Sequence, residues 1–125
     1  METINHSALY NEAKQYTNTV KGLFKKKKFN NQTIANIACL AAEEFMVAYM
    51  AKNGQMPHHH SLDALIDDVA KIKKDLPLSM TKEVLFLEEF QNLCVIENIG
   101  MKVPTDAEME RIINTLVGLD VTLFP

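Results

Sequence analysis

The sequence predicts an all-α fold, a five-helix up-and-down bundle forming one domain over residues 1–125. Three observations lead there. Apolar residues recur at steps of three and four through five segments, and no segment sustains alternation of period two. Four Gly and four Pro are too few for the turns of a β-sandwich. A hydrophobic fraction of 47% with 23% charged residues is that of a chain able to fill a core of its own.

The first helix is expected over residues 3–27. Leu9, Ala13, Tyr16, Val20 and Leu23 fall on one face, with Asn11, Glu12, Lys14, Gln15, Asn18 and Lys21 on the solvated side. Lys25, Lys26, Lys27 and Lys28 close it, where cations complement the negative end of the helix dipole. Phe29-Asn30-Asn31 makes the turn, with Asn31 the expected N-cap of a second helix over 32–53. That helix carries two apolar stripes. One runs through Ile34, Ile37, Ala38, Ala41, Phe45, Ala48 and Tyr49, the other through Ala35, Cys39, Ala42, Met46 and Met50. A helix apolar on most of its circumference belongs inside a bundle or at a subunit contact. Gly54 suits the left-handed geometry that ends it.

Ser61 is the expected N-cap of the third helix, with Asp63 in its first turn and Leu62, Leu65, Ile66 and Val69 inward. Asp75-Leu76-Pro77 interrupts it. A fourth helix is expected from Ser79–Thr81 to about Ile96, with Phe86, Phe90, Leu93 and Cys94 as its stripe. After an irregular stretch ending at Pro104, Thr105-x-x-Glu108 reads as a capping box. It opens a fifth helix whose inner face is Met109, Ile112, Ile113, Leu116 and Val117.

The chemistry-bearing residues are sparse. A net charge of −3 argues against a dedicated nucleic-acid carrier, although Lys25–Lys28 could meet phosphates locally. Cys39 and Cys94 both sit in apolar runs and read as core thiols. His58-His59-His60 attracts attention as a metal site, but consecutive imidazoles diverge along the chain, and HExxH, paired CxxC and ExxH are all absent. No GxSxG, GxGxxG or GxxxxGK[ST] occurs. Glu43 and Glu44 are adjacent in the second helix and point about 100° apart, so they form no dyad by themselves. No catalytic residue, cofactor or metal is therefore expected. The candidate ligand or partner contacts are Lys25, Lys26, Lys27, Lys28, Glu43, Glu44, His58, His59 and His60. The residues Met1–His6 show neither a basic nor an apolar leader segment, and no apolar run reaches the length of a membrane span. The expectation is a cytoplasmic protein without a membrane partner.

The stretch from Gln32 to Val69 carries a further pattern. An Ala-rich helix, Ile37-Ala38-Cys39-Leu40-Ala41-Ala42-Glu43-Glu44-Phe45, is followed by Asn53-Gly54, Pro57 and His60-Ser61-Leu62-x-x-Leu65. This resembles the HEPN domain, the helical family named for nucleotide binding in higher eukaryotes and prokaryotes. The resemblance implies a small bundle that homodimerises and works beside a minimal nucleotidyltransferase, as a toxin–antitoxin pair or a substrate-binding subunit, with nucleotide or RNA as ligand. Many members are metal-independent ribonucleases carrying Arg followed four to six residues later by His. Here the sole arginine is Arg111, and Ile112–Leu119 contains no histidine, so no ribonuclease residue carries over. His60 matches the family's turn histidine and is read as structural.

The expectation is a noncatalytic HEPN-like binding module and homodimer. The alternatives are a ribonuclease with atypical residues such as His58, His59 and Lys102, or a helical adaptor without nucleotide chemistry.

Overall fold

A computed structural model describes residues 5–91 and 103–125 of the protein. The described residues form five α-helices: α1 (His6–Lys26), α2 (Asn31–Lys52), α3 (Leu62–Ile72), α4 (Leu78–Glu88) and α5 (Asp106–Leu123). Among them there is no strand. The other four helices all pack on α2, and consecutive helices are neighbours, so the predicted all-α bundle is the fold.

The helix ends follow local chemistry, not always as expected. Asn5 caps α1 by accepting from the Ala8 N–H at 3.1 Å, and Lys27 stops it in the left-handed region at φ 55°. The N-cap of α2 is Asn30, one residue before the expected Asn31; its side chain accepts from the Thr33 N–H at 2.8 Å. This frees Asn31 to donate to Pro104 O and Asp106 Oδ1, both at 2.9 Å, which ties the α1–α2 turn to the start of α5. Gly54 takes φ 74° just beyond α2, the left-handed geometry expected of it. Ser61 occupies the N-cap position of α3, but its side chain makes no capping bond. Glu88 of α4 replaces it, accepting the Asp63 N–H at 2.9 Å. α4 starts at Leu78 and ends at Glu88, short of Ile96; Leu93, Cys94 and the rest of the 92–102 segment lie outside the described residues. The capping box at α5 has both arms, Thr105 Oγ1 accepting from Glu108 N and Glu108 Oε1 accepting from Thr105 N.

The core is built around α2. Both of its stripes are covered by the chain's own helices: Ile34, Ala38, Ala41, Phe45 and Ala48 on one, Ala35, Cys39, Ala42, Met46 and Met50 on the other, are all buried. The second stripe therefore needs no second subunit to cover it. Among the described helices α2 has the length and mean hydropathy of a membrane span, against the expectation that no segment would. Much of that apolar stretch faces α1, α3, α4 and α5 instead. α1 contributes Ala13, Val20 and Thr17, the last satisfied by donating to Ala13 O. From α5 come Met109, Ile112, Leu116 and Leu119, while Val117, expected inward, is 38% exposed at the α1–α5 seam.

Candidate functional site

The predicted contact residues do not converge. The lysines Lys25–Lys28 sit at the α1–α2 turn, and the histidines follow the far end of α2. Lys27 is already engaged: Nζ lies 2.8 Å from Asp106 Oδ2 and 4.0 Å from the Phe24 ring centre. Lys25, Lys26 and Lys28 are exposed and make no ion pair among the described residues.

Structure does unite His60 with Glu43. His60 Nδ1 lies 2.9 Å from Glu43 Oε1, so this imidazole meets a carboxylate of α2. His58 and His59 are exposed on the connector. Among the described residues no group of three His, Cys, Asp or Glu side chains could hold a metal ion. Cys39 is buried, as its run implied; burial first, then the Glu88 and Glu43 charges, push its thiol up to about 12, so it remains protonated and unreactive at neutral pH. Cys94 lies outside the described residues.

Glu44 faces α1. Burial lifts its carboxyl to about 8, reinforced by the hydrogen bond that protonated Glu44 donates to Glu12 and by the Glu12 and Glu43 charges. Glu44 Oε2 is buried and no donor reaches it. A carboxyl in that position holds a proton instead of a charge.

One concave feature was not foreseen. A groove of about 220 Å³ runs between α1 and α5, lined by Lys14, Thr17, Asn18, Lys21, Phe45, Val117 and Asp120. Val117 supplies apolar surface and Asn18, Lys14, Lys21 and Asp120 a polar rim, with the fully buried Phe45 behind them. Asp120 is held in place: Tyr10 Oη donates to its Oδ1 at 2.6 Å, and Lys14 Nζ lies 3.7 Å from Oδ2. That bond to Asp120, with burial and the carboxylate charge, pushes the Tyr10 phenol up to about 12. Tyr10 is itself wedged against Phe124, ring centres 4.4 Å apart. Lys21 makes no ion pair among the described residues.

The signal for this groove was present in the order of α1. Lys14, Asn18, Lys21 and Lys25 follow one another at steps of four, three and four, which puts them in a single row within an arc of roughly 60°. Reading them only as a solvated face missed the row. Val117 and Asp120 come from α5, about a hundred residues on, and no local pattern announces them.

Comparison with protein-family models, with curated proteins and with solved structures finds no match to this chain. The HEPN likeness therefore stands on the residues of the Gln32–Val69 stretch.

Proposed function

We propose that the protein is a noncatalytic, HEPN-like binding module whose ligand carries phosphate, a nucleotide or RNA. It would act as the partner or substrate-binding subunit of a minimal nucleotidyltransferase or of a toxin–antitoxin system, and as a homodimer. The observation that carries the ligand is the α1–α5 groove, where Lys21, without an ion pair among the described residues, stands beside Lys14 and Val117. The partner and the dimer rest on the resemblance, because the second α2 stripe is satisfied within one chain.

Equilibrium titration with a fluorescent adenine nucleotide tests the ligand. Saturable binding that weakens about tenfold in Lys21→Glu is the expected result. Absence of saturable binding, or binding indifferent to Lys21, overturns it. Purified protein should also leave RNA uncut; cleavage lost in His58→Ala or His59→Ala would instead establish the ribonuclease alternative. Sedimentation equilibrium decides the oligomeric state, and a monomer at about 10 micromolar refutes the dimer.

A further inference from the structure

We propose that the α1–α2 turn docks the protein on an anionic lipid surface, with Phe29 entering the headgroup region and Lys25, Lys26 and Lys28 meeting lipid phosphates around it. Among the described residues Phe29 is the most exposed aromatic side chain, at 54%. Phe24, five residues earlier, instead packs against the core with the Lys27 ammonium over its ring. The turn that presents Phe29 is braced on both sides. Lys27 takes the left-handed conformation at φ 55°, and the Asn30 side chain caps α2. Asn31 donates to Pro104 O and Asp106 Oδ1, and Lys27 Nζ donates to Asp106 Oδ2. This frame holds the Phe29 ring away from the core. The same tie brings Val103, 59% exposed, to this end of the bundle.

Charge selects the surface. The chain carries a net charge of −3, yet Lys25, Lys26 and Lys28 make no ion pair among the described residues. Asp106 and Glu108 reach the same end, but Asp106 is paired with Lys27 and Glu108 accepts the Thr105 N–H. An anionic bilayer therefore repels the molecule as a whole and attracts this end, which orients its approach. A soluble polyanion would satisfy the lysines alone. The apolar pair distinguishes lipid: aliphatic Val103 has no ring face to offer a base, whereas both Val103 and Phe29 gain on leaving water for the acyl boundary. Each lysine beside an anionic bilayer strengthens partition about fivefold. Reversible surface attachment takes two such signals, one apolar and one basic. No membrane partner was expected from the length of the apolar runs, but lying against a bilayer requires no spanning run.

The chain has no tryptophan, so Phe29→Trp places a single fluorophore at the turn. This variant and the unaltered chain are titrated with vesicles of phosphatidylcholine alone and with vesicles containing about 30% phosphatidylglycerol. The anionic vesicles should carry the protein on flotation and shift the tryptophan emission to the blue. Neutral vesicles should do neither, and high salt should release the protein. Phe29→Ser should weaken flotation about tenfold. Lys25→Gln should weaken it about fivefold, and Lys74→Gln, between α3 and α4, should leave it unchanged. Flotation with unshifted emission refutes entry of Phe29. Equal binding to neutral vesicles, or equal losses in Lys25→Gln and Lys74→Gln, refutes the role of the lysines. Binding of an unstructured RNA that competes the vesicles away at lower phosphate concentration overturns the proposal and assigns the turn to nucleic acid. Absence of flotation with either vesicle overturns it outright.

Discussion

Arg111 grips Glu83 across the α4–α5 seam with two charge-assisted hydrogen bonds, Nε to Oε2 at 2.7 Å and Nη2 to Oε1 at 2.9 Å. The face of the same guanidinium lies 3.6 Å from the centre of the Phe86 ring. Both the edge and the face of the chain's sole arginine are thus committed to holding α4 on α5. Glu83 is correspondingly held below the ordinary carboxylate range, first by the hydrogen bond from Arg111. Arg111 thus fastens one helix to another.

Arg111→Lys should lower the urea midpoint almost as far as Arg111→Ala, because an ammonium cannot reproduce the fork or the stacked face. Full recovery by lysine would show that only the charge matters. The Glu83 contribution is present above about pH 4.5 and is lost as pH falls through its depressed folded-state value. The gap between wild type and Arg111→Ala should therefore narrow in acid.

Tyr10→Phe should cost about 1 kcal/mol, the usual worth of one hydrogen bond, since the ring contacts with Phe45 and Phe124 persist. The 2.6 Å bond to Asp120 joins residues 110 apart in the chain. It also positions one wall of the proposed ligand groove. Tyr10→Phe should consequently weaken binding of the adenine nucleotide beyond its small effect on stability. Unfolding curves and titrations on the same preparation separate the two; unchanged affinity would show that Asp120 needs no such support.

Phe45 has no solvent exposure and lies at the centre of α2, with the Tyr10 ring against its edge at 6.0 Å between centres. Phe45→Ala should cost about 3–5 kcal/mol. A loss under about 1 kcal/mol would mean that the neighbouring helices collapse freely into the space.

The helices and much of the core were legible because the signals are local. Ala13, Val20, Phe45 and Met109 recur at the helical period, and Thr105 and Glu108 form their capping box within one turn of chain. What depends on two distant segments was not. Glu88 capping α3, Arg111 fastening Glu83, and Asn31 reaching Pro104 each require the tertiary fold before the partners meet. The candidate site divides the same way. The α1 lysine row is written in spacing, but its meaning depends on Val117 and Asp120 of α5. The His60–Glu43 contact likewise forms only when the connector turns back over α2.

Glu44 links stability to pH. Its folded-state value of about 8 lies above the ordinary 4.5, chiefly through burial. Below about pH 4.5 the folded and unfolded chains both carry the proton, and the raised value takes nothing from stability. As pH rises toward 8 the unfolded chain releases that proton while the folded chain retains it, so stability falls. Above 8 the loss is complete, with Glu44 charged opposite Glu12 across the α1–α2 seam. Glu44→Gln preserves a donor toward Glu12 and has no proton to lose. It should match wild type near pH 4.5 and exceed it by about 1–2 kcal/mol near pH 9, a figure reduced for the partial solvent access of the site. Urea unfolding of both proteins at several pH values measures the difference directly, because every other titrating group is common to the two. Parallel stability curves would show that Glu44 ionises in the folded protein as freely as in the unfolded chain.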